Sequence, residues 1–304
     1  MNVLLTGATG FVGLHVVNYI DEVKCVVRIN ETHSFSYVYE LESIDRNSDW
    51  SGAFENIDAV IHLAGVAHSK NASVKCFNSV NYDGTIQLAN EAVKAGVKRF
   101  VFVSSIGVNG TSTHELPFTE SSIPFPHNSY AQSKYDAECG LKKIAKETGL
   151  EVVIVRPTLV YGPSAPGNFG MLTKLIHKIP LLPFGMANNR RDFIAVQNLA
   201  DLLVICANHP DAAGHTFLAS DGETVSIKQF TNAIADGLGK KVIQLPVPVS
   251  VMRLLGKLAG KSAMIEQLYG NLEVDSSNIK EVLGWTPPLT MKQAMSTLCD
   301  SGVK

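Results

Sequence analysis

The sequence predicts an α/β protein, a doubly wound parallel sheet with helices on both faces and a smaller, interleaved C-terminal lobe. Three observations predict it. Up to residue 157, short and continuously apolar runs alternate with amphipathic ones. Strands buried on both faces read as unbroken apolar stretches, and parallel neighbours need helical crossovers. A glycine-rich turn, Thr6-Gly7-Ala8-Thr9-Gly10-Phe11-Val12-Gly13, joins the first apolar run to the first helical one. Beyond residue 157 the prolines concentrate and the helical runs become short.

Asn2–Leu5 reads as the first strand and Leu14–Ile20 as the helix that follows the turn. Strand, glycine turn and helix are together what a dinucleotide needs. The glycines let the backbone approach a pyrophosphate, and the helix N-terminus offers unpaired N–H groups and a positive dipole end. The spacing is G-x-x-G-x-x-G rather than G-x-G-x-x-G. Gly7, Thr9, Gly10, Phe11, Val12 and Gly13 are therefore candidate cofactor contacts. Cys25-Val26-Val27 reads as the second strand. Asp58–Gly65 reads as a buried strand whose small closing residues, Leu63-Ala64-Gly65, suit close approach by a cofactor. A helix is expected over 84–95 with Gly96 as its stop, then strands over 99–105 and 151–157. Ligands of such sheets sit beyond the carboxyl ends of the strands, where Gly7, Gly65, Ser105 and Pro157 all fall.

Segments 192–196 and 215–219 look extended and are expected to return to the sheet. The division that follows is a dinucleotide-binding part over 1–162, rejoined by 191–221, and a substrate-covering lobe made of 163–190 and 222–304. Within the lobe, 171–178 and 227–238 read as helices. Residues 250–260 place Val251, Leu254, Leu255 and Leu258 on one helical face, with Arg253 and Lys257 elsewhere. The expectation for that stripe is packing into its own domain rather than contact with a membrane surface.

Composition narrows the class. The net charge of -2 over 304 residues offers no global field for nucleic acid. The five cysteines, at 25, 76, 139, 206 and 299, lack metal-ligand spacing and read as reduced thiols. No metal site is expected, and His62 and His68, which flank a strand end, read as core or loop residues. No apolar run reaches membrane-spanning length, and with the glycine loop beginning almost at once no signal peptide is expected before the first strand. The expected compartment is the cytoplasm.

Chemistry enters with Tyr130-Ala131-Gln132-Ser133-Lys134, inside a helix expected over 130–148. At that spacing the phenol and the ammonium leave one face. A phenol with a solution pKa of about 10 is a poor base at neutral pH, and a fixed lysine favours its phenolate. The tyrosine could then exchange protons with an alcohol, while Ser105, at a strand end, holds the same oxygen.

These motifs resemble the extended short-chain dehydrogenase/reductases, in the epimerase/dehydratase group that acts on nucleotide sugars. The resemblance covers nearly the whole chain. It rests on Thr6–Gly13, His62-Leu63-Ala64-Gly65, Asn81, Ser105, Tyr130 with Lys134, Arg156-Pro157 through Tyr161-Gly162-Pro163, Arg191-Asp192-Phe193-Ile194 and Leu283-Gly284-Trp285-Thr286-Pro287. It implies a Rossmann sheet and a nicotinamide cofactor. Ser105 and Tyr130 would hold the sugar hydroxyl, and Lys134 would bind the nicotinamide ribose. Tyr130, Lys134 and Pro157 join the cofactor contacts, and Arg191 and Asn168 join Ser105 as substrate contacts near the diphosphate. The reaction implied is 4-epimerisation of a nucleotide-diphosphate sugar through a transient 4-keto sugar. The alternative is an NADPH-dependent 4-ketoreductase of a 4-keto-6-deoxy sugar, followed by a steroid-type hydroxy dehydrogenase and a non-catalytic nucleotide sensor. Ile106 and Gly107 stand where 4,6-dehydration needs an acid. The resemblance also implies a homodimer through helices 84–95 and 130–148.

Departures from the pattern bear on cofactor and substrate. The second strand ends in Val27-Arg28-Ile29-Asn30, without the carboxylate of NAD-preferring members. Arg28 suits a 2′-phosphate and favours NADP, whereas the epimerase reading favours NAD. Leu159 replaces a substrate-side Asn, and the usual closing arginine pair is not evident in 246–270.

Overall fold

A computed structural model describes residues 1–67 and 73–299; His68 lies outside the described residues. In chain order the first half contains β1 (Val3–Thr6), α1 (Phe11–Val16), β2 (Val23–Arg28), β3 (Val38–Leu41), β4 (Ala59–His62), α2 (Val74–Phe77), α3 (Thr85–Lys94), β5 (Arg99–Val103), α4 (Ser129–Thr148) and β6 (Glu151–Pro157). The second half contains β7 (Leu159–Tyr161), α5 (Gly167–Lys178), β8 (Leu181–Leu182), β9 (Phe193–Ala195), α6 (Val196–Asn208), β10 (Thr216–Ala219), α7 (Ile227–Gly237), β11 (Ile243–Gln244), α8 (Val249–Leu258), α9 (Ser262–Tyr269), α10 (Ser277–Leu283) and α11 (Met291–Ser296).

Seven strands form one sheet in the order β10-β6-β5-β4-β1-β2-β3, and every pairing in it is parallel. The chain starts in the middle, at β1, and winds outward in both directions, which is the doubly wound arrangement expected. Successive strand residues face opposite sides, and the apolar runs are unbroken because both sides are covered. Leu5, Ile61, Val101 and Val153 enter one core with α6. Their neighbours Leu4, Val60, Phe100 and Ile154 enter the other, with Leu88 of α3 and Leu141 of α4. Each such side chain stabilises the fold by about 1.5–3 kcal/mol on burial.

Several elements differ from expectation. The first helix starts at Phe11, within the glycine turn, and gives way to a 3₁₀ turn at Val17–Tyr19. Segment 193–195 does not join the main sheet; it pairs with β7 in a separate two-stranded sheet, and only 216–219 returns, as the edge strand β10. β6 ends at Pro157, and β7, which begins two residues later, is the strand that β9 pairs with. Strand β3 was not expected, because Val38-Tyr39-Glu40-Leu41 is an edge strand with only Leu41 buried. Within the span 222–304 drawn as lobe, Ile279, Leu283 and Trp285 pack under the main sheet, and Trp285 Nε1 donates to Asp201 at 2.6 Å.

A further core gathers Tyr161 and Phe193 with Phe169 and Phe230 of the expected lobe, and Phe193 and Phe230 stack at 3.8 Å. Helix α8 departs most from expectation. Its one buried residue is Gly256, while Val251, Leu254, Leu255 and Leu258 are exposed. No described helix is long and apolar enough to cross a membrane.

Candidate active site

The strand order reverses direction at β1, so a crevice opens between the segments that leave β1 and β4. Gly7 has φ +73°, and a Cβ there would lie 2.8 Å from the Ala64 amide nitrogen. The glycine is needed both for its left-handed backbone and for close approach to Leu63-Ala64. At Gly13 a Cβ would lie 2.1 Å from the Gly7 carbonyl oxygen, so α1 sits tightly over the turn. Gly10 opens α1 without a side-chain cap, which leaves the first-turn N–H groups, including those of Phe11 and Val12, for a ligand. The cradle fits the pyrophosphate of a dinucleotide.

At the end of β2, Arg28 is exposed. Asn30 takes φ +64° and turns the chain back, so the Glu31 amide donates to the Arg28 carbonyl at 2.9 Å. The Glu31 carboxylate then accepts from the Arg28 amide at 3.1 Å and from Thr9 Oγ1 at 2.9 Å. A carboxylate thus stands beside the glycine turn, although the strand itself ends without one. The available signal was Asn30, a residue that tolerates the left-handed region and permits such a return.

Asn128 caps α4 by accepting from the Ala131 amide at 2.8 Å, and this fixes the start of the helix that carries Tyr130 and Lys134. Ser105 follows β5 and caps a single 3₁₀ turn, its Oγ accepting from the Gly107 amide at 3.1 Å. Burial pushes the Tyr130 phenol up to about 12, and a hydrogen bond with Ser105 works in the opposite direction. Burial lowers the Lys134 ammonium to about 8, partly offset by the Glu138 carboxylate one turn further along α4. Lys134 Nζ donates to the Val103 carbonyl at 2.9 Å and lies 4.6 Å from the centre of the Phe102 ring. A Cβ at Gly65 would come within 3.0 Å of Asn81 Oδ1 and 3.3 Å of that nitrogen, so Gly65 packs directly against both groups. Tyr130, Lys134, Ser105 and Gly65 are therefore brought together at the carboxyl ends of β4 and β5.

Two buried networks support this group, and sequence reading revealed neither. In the first, Thr6 Oγ1 meets His62 Nδ1 at 2.6 Å and accepts from the Ala64 amide at 3.2 Å. His62 Nε2 meets Thr85 Oγ1 at 2.8 Å, and Thr85 donates to the Asn81 carbonyl. Those partners assign a neutral imidazole protonated at Nε2. Burial agrees, holding His62 down at about 3, with the Lys134 charge adding to the effect. Asn81 donates to Ser133 Oγ at 3.0 Å and pairs with both backbone groups of Val66. A continuous polar chain therefore runs from β1 to α4. In the second network, Arg156 clamps Glu138 through Nε and Nη2 and reaches Asn109 Oδ1 at 3.0 Å, while Ser104 donates to Glu138.

The other expected substrate contacts, Asn168 and Arg191, are held by partners outside this cluster. Asn168 is in the first turn of α5, exposed, and donates to Gln267 at 3.3 Å. Arg191 is buried, and its Nη1 donates to the Gly270 carbonyl at 3.0 Å. Burial lowers it to about 10 against the pull of Asp192. Arg190 pairs with Glu273 at 2.7 Å. Pro157 ends β6 opposite Ala219. A separate open groove of about 810 Å³, lined by Asn2, Val23 and Tyr37 among others, lies at the opposite, amino ends of the strands.

With this geometry in place, the likenesses to known proteins fall in line. The sequence profile of the NAD dependent epimerase/dehydratase family matches residues 3–220. A UDP-glucose 4-epimerase of Vibrio cholerae is 41% identical over 305 residues, 96% of this chain and 92% of its own length. Among solved structures, a UDP-N-acetylglucosamine 4-epimerase from Bacillus cereus has a TM-score of 0.79 at 19% identity and covers 98% of both chains. A UDP-glucose 4-epimerase from Thermotoga maritima, solved with UDP-glucose, has a TM-score of 0.74 at 22% identity, covering 99% of this chain and 98% of its own. At such identities the structural likeness speaks for the fold.

Proposed function

The chain belongs to the NAD dependent epimerase/dehydratase family, and from that premise we propose that it is a nucleotide-sugar 4-epimerase. The substrate proposed is a UDP-hexose or UDP-N-acetylhexosamine. The observation that carries the proposal is the convergence of Tyr130, Ser105 and Lys134 beside Gly65, at the mouth of a dinucleotide cradle. When bound, the nicotinamide ring supplies the acceptor and donor of hydride.

Tyr130 takes the proton of the sugar 4-hydroxyl as the hydride leaves C4, and returns it after the 4-keto sugar has turned over. Ser105 fixes the same oxygen by hydrogen bond. Lys134 supplies the positive charge that brings the phenol down from its buried value, and it presents N–H groups to the nicotinamide ribose. Positioning of the reacting atoms carries the remainder of the rate. Arg191 and Asn168 are the proposed diphosphate contacts; Arg191 would exchange its Gly270 carbonyl partner for a phosphate oxygen, a stronger charge-assisted bond.

NAD is the cofactor proposed. The Glu31 carboxylate beside Thr9 can accept from ribose hydroxyls and repels a 2′-phosphate, against the attraction of Arg28. The proposal includes a division in which 163–190 and most of 222–304 cover the substrate, action in the cytoplasm, and a homodimer through α3 and α4.

The test incubates purified protein with UDP-glucose, UDP-N-acetylglucosamine and a UDP-4-keto-6-deoxy sugar, each with NAD or NADPH. Interconversion of C4 epimers without net cofactor consumption is expected. Stoichiometric loss of NADPH with the keto sugar would replace the epimerase by the 4-ketoreductase. For the cofactor, Glu31→Gln is expected to weaken NAD and strengthen NADP binding, shifting the ratio of their Kd values by about tenfold or more.

A further inference from the structure

Helix α8 is amphipathic in the reverse of the usual sense. Its inner side, carrying Val249, Met252 and Gly256, packs on the lobe, and a Cβ on Gly256 would meet Ile265 of α9 at 2.4 Å. At 100° per residue, Val251, Leu254, Leu255 and Leu258 form one stripe on the side away from that contact. Leu254 is 58% exposed, Leu255 53% and Leu258 77%. Soluble helices turn such a stripe inward. Beyond the turn, Met264 of α9 is 44% exposed.

Along this stretch of chain the charge is mostly basic. Between Gly237 and Ile265 the chain carries Lys240, Lys241, Arg253, Lys257 and Lys261 and no Asp or Glu, in a protein whose net charge is -2. Arg253 is paired with Glu266 across the two helices, at 2.9 Å. Among the described residues neither Lys257 nor Lys261 forms an ion pair. On the helix, Lys257 flanks the leucine stripe, and Lys261 stands at the turn into α9.

We propose that the α8–α9 hairpin is a membrane-surface contact, with the leucine stripe seated at the headgroup boundary of an anionic bilayer and Lys257 and Lys261 on its phosphates. A leucine face rimmed by lysines is what an interfacial helix presents. A second copy of the chain fits it less well, because two-fold pairing of the stripe would bring like lysines together. One helix face of roughly 15 Å by 10 Å, about 150 Å², also falls well short of the roughly 800 Å² per partner of a stable protein interface. Asn168 lies against Gln267 of α9, so the contact would stand next to the substrate side of the lobe.

The experiment is flotation of the full chain with phosphatidylcholine vesicles, with and without about 30% phosphatidylglycerol, at about 0.15 M and 0.5 M salt. Binding to the anionic vesicles that weakens at high salt is expected. Leu254→Asp/Leu258→Asp should lower partitioning by more than tenfold, and Lys257→Gln/Lys261→Gln by about 25-fold, near fivefold per lysine. Both pairs are at the surface, so their melting temperatures should match the parent protein, and the conservative lysine pair keeps the test valid if the aspartates disturb folding. Failure of the parent protein to float with anionic vesicles would overturn the proposal. So would flotation that both variants retain, or light scattering in which the parent self-associates through this face and ignores vesicles.

Discussion

The crevice at the carboxyl ends of β1, β4 and β5 and the lobe that follows residue 162 are built on different principles. In the crevice, each candidate group sits within a few residues of a strand end or helix start, so one short motif brings its own geometry. Asn128 starts α4, and Tyr130 and Lys134 follow on one face. Beyond residue 162, position depends on distant partners: Arg191 is held by the Gly270 carbonyl, and Asn168 touches Gln267. The crevice is also supported by buried polar chains, while the lobe leaves a leucine stripe in the open. The lesson is that local motifs bring the crevice groups together, whereas Arg191 and Asn168 are held by pieces far apart in the chain.

The sharpest way to break this contrast is Tyr130→Phe. Loss of about 10² to 10⁴ in kcat is expected, with cofactor Kd within severalfold of the parent. A fully active Phe variant, in a progress-curve assay with UDP-sugar, would remove proton chemistry from the crevice. Next in size is Glu138→Gln, which leaves Arg156 buried without its counter-charge. Breaking a buried pair costs about 3–5 kcal/mol, readable as a lower urea midpoint at unchanged slope. Arg190→Ala, a partly exposed pair in the lobe, should stay within about 1 kcal/mol in the same measurement.

Between these falls a pH effect. His62 is held near 3 in the fold, against about 6.5 when unfolded. Its neutral state therefore contributes stability that is complete above about pH 6.5 and is lost progressively as pH falls toward 3. The slope from this one group approaches about 1.4 kcal/mol per pH unit in that window. His62→Gln, which keeps a donor and an acceptor, should flatten the acid limb of a stability-versus-pH curve. An unchanged limb would mean that the chain from Thr6 to Asn81 does not depend on a neutral imidazole.

Much of the crevice was legible in the residues. Gly7 to Gly13 could be placed because a glycine turn between apolar strand and helix has few other uses, and Tyr130 with Lys134 because a four-residue spacing fixes a shared helical face. Asp192–Val196 was placed less well: an apolar triplet reads as strand, but nothing local says which sheet it joins. The 250–260 stripe was misread because amphipathicity gives a face and not the direction it points.

The chain alone determined the parallel α/β plan, the cradle and the pairing of phenol with ammonium, since each follows from short-range periodicity and backbone sterics. Tertiary structure decided the return of Glu31 to Thr9, the burial of His62 between two threonines and the outward turn of the α8 leucines. Those depend on which distant surfaces meet, and contacts between residues far apart in sequence leave no local period to read.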